Sequence, residues 1–127
     1  MTAPTDSSPT FRRLLLTGAA GGLGRELRPR LKRRCATLRG IDIAHLQAAA
    51  PGEELVHAAL EDAGAVDRLL AGVDAVVHLG GVSVEGPFEP ILQANIVVVH
   101  NLYEAALRQR VLRIVYASSN HVTRWYR

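Results

Sequence analysis

Residues 14–24 read LLLTGAAGGLG. Three leucines stop at Thr17, and glycine then recurs at every third position: Gly18, Gly21 and Gly24. A helical pattern follows. A buried strand that turns through glycines into a helix start offers outward backbone N–H groups and the positive end of a helix dipole, and both favour a phosphate. Gly18 suits the sharp turn, Gly21 a close approach of backbone to a pyrophosphate, and Gly24 tight packing of helix on strand. The spacing G-x-x-G-x-x-G is one residue looser at the turn than the G-x-G-x-x-G fingerprint. Glycines also serve plain turns, so the strand before and the helix after are what favour a dinucleotide.

The rest of the chain repeats this alternation. Residues 13–17 predict a fully buried first strand and residues 22–33 its helix, with Leu23, Leu27 and Leu31 as the buried stripe. Pro29 falls inside that helix and predicts a bend or early end. Residues 37–41 predict strand 2, closed by Asp42. Residues 44–50 read as a short helix or loop, ended by the turn signal Pro51, Gly52. Residues 54–57 predict strand 3, and Asp62 caps a helix that runs to Ala71. Residues 75–79 predict strand 4, broken by Gly80 and Gly81. Residues 88–108 give the longest helical pattern, with Ile91, Leu92, Asn95, Val99, Leu102 and Ala106 on one side. Residues 112–117 predict strand 5. Strands alternating with helices imply an α/β fold, a Rossmann-like doubly wound parallel sheet of order 3-2-1-4-5 with an uncovered edge at strand 5.

The chain has 127 residues, 48% of them hydrophobic, which suits one globular domain with a real core. Residues 1–11 read as a flexible tail and 12–127 as the nucleotide-binding domain. No run approaches the roughly 20 apolar residues of a membrane span, and the start lacks the pattern of a secretory signal. A single cysteine, Cys35, excludes an intrachain disulfide and points to a reducing, cytoplasmic setting, with Cys35 a buried or inert thiol. The net charge is +3, and Arg25, Arg28, Arg30, Lys32, Arg33, Arg34 and Arg39 crowd one segment. No aromatic residues interleave with them, so a solvated helix face is favoured over a nucleic-acid patch. No His pair has metal-ligand spacing, and no metal is expected.

In such a sheet ligands bind beyond the carboxyl ends of the strands. Those ends carry the glycine loop, Asp42, Leu60, residues 79–83 and residues 118–121. Asp42 can accept hydrogen bonds from both adenosine ribose hydroxyls and would repel a 2′-phosphate, favouring NAD over NADP; the competing role is a turn cap. Arg39 is poorly placed for a 2′-phosphate. Ser118, Ser119, Asn120 and His121 can meet a reacting oxygen or a carboxylate, or simply form a polar turn. His78 reads as a buried structural histidine.

Together Thr17, Gly18, Gly21, Gly24, Asp42, His78 through Gly81, Asn95, Ser118 and Ser119 resemble the extended short-chain dehydrogenases/reductases, the NAD-dependent epimerase/dehydratase family, from about residue 12 onward. Residues 79–89 and 117–121 look like the members that oxidise glucuronate or galacturonate at C1 to an aldarolactone with NAD. The resemblance implies that Gly18, Gly21, Gly22, Leu23 and Gly24 face or frame the pyrophosphate and Asp42 holds the adenosine ribose. It implies that Leu60 lines the adenine pocket, with Leu79 and Gly80 at the nicotinamide-side ribose. Ser119 matches the catalytic serine, and Ser83, Asn120 and His121 match positions that bind a small-molecule sugar acid. The implied partners include neither nucleic acid nor membrane, and the full-length form is expected to be a homo-oligomer. Alternatives are a sugar-nucleotide epimerase or dehydratase of the same family, and a dinucleotide-binding protein without catalysis.

Some positions depart from the family pattern. Ala59, Leu60 stand where Asp-Leu is usual, so a side-chain contact to the adenine amino group is lost. Val98 stands where the helix usually carries a small glycine, and Thr123, Arg124, Trp125 replace a glycine- and tyrosine-containing turn. The family's base is the Tyr of Tyr-x-x-x-Lys, and none of Tyr103, Tyr116 or Tyr126 has a Lys four residues on. The expectation is therefore a cofactor-binding half, inactive alone, since that role contributes about 10²–10⁴-fold.

Overall fold

A computed structural model describes residues 10–47 and 49–119. The elements run β1 (Phe11–Thr17), α1 (Gly22–Lys32), β2 (Cys35–Asp42), β3 (Glu53–His57), α2 (Ala63–Leu70), β4 (Ala75–His78), α3 (Phe88–Leu92), a π turn (Gln93–Val97), α4 (Val98–Arg108) and β5 (Arg113–Tyr116). The strands form one parallel sheet in the order β3-β2-β1-β4-β5, as the alternation predicts.

β1 is buried on both faces because helices cover both. Successive strand side chains point to opposite faces. Leu15 joins one core with Ile41, Val76, Leu70, Val98 and Leu102, beneath α2 and α4. Leu14 and Leu16 join the other with Leu38, Ala75 and Cys35, beneath α1. Each leucine in the run is 2% exposed or less, and full burial of such a side chain contributes about 1.5–3 kcal/mol. The run LLL thus reads as a central strand of a doubly covered sheet.

Asp62 starts α2 as expected: its Oδ1 accepts from Gly64 N at 2.8 Å and Ala65 N at 3.2 Å. Gly72 follows with φ +71°, and Gly52 turns into β3 with φ +81°. Residues 44–47 form a loop rather than a helix.

Three local expectations are corrected. Pro29 does not end α1 early; the helix runs to Lys32. Pro29 lies on the exposed side, where the carbonyl left without its N–H donor meets water. Leu23 is 58% exposed and does not belong to the buried stripe, which Leu27 and Leu31 continue more deeply. The long helix of residues 88–108 is interrupted by the π turn, which contains Asn95.

The basic segment divides. Arg28 reaches Glu53 at 2.7 Å with both side chains largely buried. Burial alone would push the Glu53 carboxyl up, but Arg28, the Ala50 N–H and Lys32 together hold it below its usual range. Arg39 donates to Glu54 at 2.8 Å and to Leu69 O at 2.5 Å. These two arginines tie α1 and β2 to their neighbours, whereas Arg25, Arg30, Arg33 and Arg34 are exposed. Cys35 is buried, its Sγ donates to Leu31 O at 3.3 Å, and burial pushes the thiol pKa up, as suits an inert thiol. Strand β5 lies at the sheet edge with Val115 53% exposed. Among the described residues no helix is long and apolar enough to cross a membrane.

Candidate functional site

The sheet register sets one row of residues at the carboxyl edge. Thr17 pairs with Ile41 on one side and His78 on the other, and His78 pairs with Tyr116. Beyond this row the chain leaves the sheet into the glycine loop, Asp42, and the loops after β4 and β5. A cleft of about 300 Å³ opens there, lined by Thr17, Gly18, Gly21, Asp42, Leu60 and Gly80 among others.

Gly18 has φ +70°, a left-handed backbone that glycine adopts at no steric cost. A Cβ there would also lie 3.0 Å from Gly80 N. Gly24 has the tighter constraint. A Cβ would lie 2.2 Å from Gly18 O and 2.9 Å from Ala19 Cα, so the helix rests directly on the turn. Gly21 caps α1, and among the described residues no side chain caps the first turn. Those N–H groups therefore remain available to an anion, which fits a pyrophosphate. Gly22 faces open space, and exposed Leu23 sits in the same first turn.

Asp42 is tied at both oxygens: Oδ2 accepts from Ala20 N at 2.9 Å and Oδ1 from Ala44 N at 2.9 Å. It is a turn cap and a cleft wall at once. The turn-cap role raised by its position is observed, and a carboxylate with about four acceptor sites keeps further acceptor capacity toward the cleft.

Thr17 and His78 form the floor. Thr17 Oγ1 accepts from Leu79 N at 3.1 Å and Gly80 N at 3.0 Å. With both lone pairs used, its hydroxyl donates to His78 Nδ1, 2.6 Å away. His78 Nδ1 is therefore the acceptor and Nε2 carries the proton. His78 is 1% exposed, stacks on Tyr116 at a centroid distance of 5.6 Å, and burial pushes its pKa down. It is the structural histidine the sequence predicts.

Two asparagines that sequence reasoning gave no structural task hold the rim. Asn95 Oδ1 accepts from Val82 N at 2.8 Å and its Nδ2 donates to Val82 O at 2.9 Å, clasping the loop after Gly81. Asn101 is buried, and its Nδ2 donates to Leu60 O at 3.1 Å and Glu61 O at 3.0 Å. The legible signal was Asn95 on the apolar side of the helical pattern of residues 88–108. Val98, the departure in the long helix, is 5% exposed and fills both the core and the cleft wall. Glu61, also in the wall, was missed.

Leu79 and Gly80 line the cleft as placed by sequence. Ser83 and Ser119 are exposed on the loops after β4 and β5, outside the cleft wall itself. Asn120 and His121 lie outside the described residues. Among the described residues no three His, Cys, Asp or Glu side chains converge as a metal site would require.

A Rossmann-like sheet with a glycine-turn cleft and an acidic residue ending β2 defines a dinucleotide-binding class of domain. Residues 14–124 match the NAD dependent epimerase/dehydratase family, and the chain belongs to it. It is 53% identical over 126 residues to a uronate dehydrogenase of Pseudomonas syringae pv. tomato, covering 98% of this chain and 46% of that protein. It is 54% identical to a uronate dehydrogenase of Agrobacterium fabrum, covering 91% and 44%. Among solved structures, a mutant uronate dehydrogenase of Agrobacterium tumefaciens complexed with NAD superposes with a TM-score of 0.84 at 55% identity, covering 87% of this chain and 42% of that one. The chain thus spans under half the length of these relatives.

Proposed function

We propose that this chain is the cofactor-binding half of an NAD-dependent dehydrogenase that oxidises a hexuronate, glucuronate or galacturonate, at C1 to an aldarolactone. The observation that carries this reading is identity above one half to uronate dehydrogenases over nearly the whole chain. The N–H groups of the first turn of α1 would hold the pyrophosphate, and Gly18 and Gly24 keep that turn close to the sheet. Asp42 would accept from the adenosine ribose hydroxyls while its caps fix its orientation. Leu79 and Gly80, held by Thr17, would border the nicotinamide-side ribose. NAD, when bound, supplies the hydride acceptor. Ser119 would hydrogen-bond the C1 oxygen, and Ser83, Asn120 and His121 would grip the sugar carboxylate with neutral donors. Such donors place no fixed cation beside the positively charged nicotinamide ring.

The reading is tested by following NADH formation with glucuronate, galacturonate and a nucleotide sugar. The 127-residue polypeptide is expected to bind NAD without turnover. A polypeptide continued through a Tyr-x-x-x-Lys motif is expected to form NADH with a free uronate. Turnover of the nucleotide sugar alone would transfer the assignment to the epimerase or dehydratase alternative.

Asp42 makes a separate prediction. Asp42→Ala is expected to weaken NAD binding about tenfold, the scale of one charge-assisted hydrogen bond. Removing the carboxylate also removes its repulsion of a 2′-phosphate, so preference for NAD over NADP should narrow. Titration calorimetry with both dinucleotides checks it, and an unchanged preference would leave Asp42 as a turn cap only.

A further inference from the structure

The His78 ring is polar at two atoms and uses one of them. Nδ1 takes the Thr17 hydroxyl proton at 2.6 Å, while buried Nε2 meets no acceptor among the described residues. A buried N–H left unpaired is costly, and an apolar side chain would fill the same space without that cost. What the imidazole supplies and an apolar chain cannot is the acceptor at Nδ1. That acceptor acts on Thr17. A hydroxyl has one donor and two lone pairs. With the proton drawn to His78, both lone pairs of Thr17 Oγ1 face the loop after β4, toward Leu79 N at 3.1 Å and Gly80 N at 3.0 Å. Leu79 N has a second acceptor in the Thr17 carbonyl at 3.3 Å, whereas Gly80 N depends on Oγ1. Gly80 also abuts the glycine turn: a Cβ on Gly18 would lie 3.0 Å from Gly80 N. Thr17, Gly18 and Gly80 all line the cleft. A line of hydrogen bonds thus runs from the sheet interior at His78 to the cleft wall at Gly80.

We infer that His78 is a positioning residue for the cofactor: by holding the Thr17 hydroxyl proton it keeps Oγ1 as the acceptor of Gly80 N, and so sets the loop after β4 against the nicotinamide-side ribose. The inference rests on the proposed dinucleotide reading of the cleft. Without an acceptor at Nδ1 the Thr17 hydroxyl is a buried donor with nowhere to donate. It then turns its proton into the space where the Leu79 and Gly80 N–H groups point, and three donors compete around one oxygen. Gly80 N loses its partner, and the loop is released where it borders the cleft. The adenosine and diphosphate end is fixed elsewhere, by Asp42 and the first turn of α1, so the effect falls on one half of the dinucleotide.

The test measures Kd for NAD and for ADP by titration calorimetry on the wild-type chain, His78→Leu and His78→Asn, with circular dichroism verifying each fold. ADP carries the adenosine and the diphosphate but no nicotinamide-side ribose. His78→Leu keeps the volume and removes the acceptor. It is expected to weaken NAD about tenfold, the scale of one hydrogen bond, and ADP by less than about twofold. His78→Asn places an oxygen where Nδ1 stood, and is expected to bind NAD within about threefold of wild type. A purely structural role predicts the reverse order, since leucine fills the space of the ring and asparagine leaves a cavity. Unchanged NAD binding in His78→Leu would overturn the inference, as would an equal loss in His78→Asn or a parallel loss of ADP. Imidazole nitrogen NMR shifts of the wild-type chain supply a reading that needs no variant. The Nε2–H tautomer is expected, and an Nδ1–H tautomer would overturn the inference while leaving dinucleotide binding intact. Failure of the wild-type chain to bind either ligand would overturn the cofactor reading and the inference with it.

Discussion

Gly24→Ala is expected to destabilise the fold by about 3 kcal/mol, at the upper end of overpacking costs. The added methyl would start 2.2 Å from Gly18 O, with Ala19 Cα at 2.9 Å and Ala19 C at 3.0 Å. All three are backbone atoms of the turn, so no side chain can swing away. Either α1 lifts off the sheet or the turn at Gly18 opens. Lifting the helix strips cover from Leu14, Leu16 and Leu38, which form the core on that face. Opening the turn moves Gly18 and Gly21, both in the cleft wall. The substitution should therefore lower the unfolding midpoint in urea and weaken NAD binding together. Gly22→Ala is the internal control. Nothing lies within 4 Å of its Cβ, and its backbone is helical. It should be neutral or stabilising by about 0.5 kcal/mol through the unfolded chain. Equal effects at the two positions would show that close packing of helix on turn is not what Gly24 provides.

That contrast marks how far the sequence could be read. The strand–glycine–helix unit was legible because its constraints are local: an apolar run, a turn and a helix phase are all encoded within residues 14–31. Strand order followed from alternation and crossover handedness, which leave few topologies. The assignments of Gly24 to close packing and of His78 to the interior were legible for the same reason. What was illegible depends on distant partners. Leu23 matches a helical stripe, but in the first turn of α1 no described neighbour covers it and it is 58% exposed. Pro29 reads as a breaker only when its side of the helix is unknown. The π turn arises where Asn95 satisfies both polar groups of Val82, across a separation of 13 residues that periodicity cannot sense. Glu61 carries no periodic signal, because it lies in the short loop between Leu60 and the α2 cap Asp62. Arg28 and Arg39 belonged to one charge cluster in sequence and to ion pairs with Glu53 and Glu54 in space, the first of them largely buried.

Thr17→Val is expected to cost about 3 kcal/mol and to loosen the loop after β4. Valine matches threonine in shape but not in chemistry. Its methyl would leave Gly80 N without its acceptor and His78 Nδ1 without its donor, while Leu79 N keeps the Thr17 carbonyl at 3.3 Å. An unsatisfied buried polar group costs about 1–3 kcal/mol, and water entering along the cleft offsets part of the sum. The same network makes stability depend on pH in a defined direction. Burial lowers the His78 pKa below its ordinary 6.5, and the Thr17 hydroxyl requires Nδ1 unprotonated. The unfolded chain therefore binds a proton that the native chain refuses. Stability from this group is complete above about pH 6.5 and declines as pH falls below it. The carboxyls of Glu53, Glu54 and Asp74, whose pKa values are lowered, act in the same direction but below their ordinary 4.5 and 3.8. The two windows are separable. Thermal unfolding midpoints measured from about pH 5 to pH 8 should show a decline toward acid in the wild-type chain, and His78→Phe should flatten that decline whatever its own midpoint. Thr17→Val should reduce the decline, since a valine no longer opposes a proton on Nδ1. A decline in His78→Phe as steep as in the wild type would place the titrating group elsewhere.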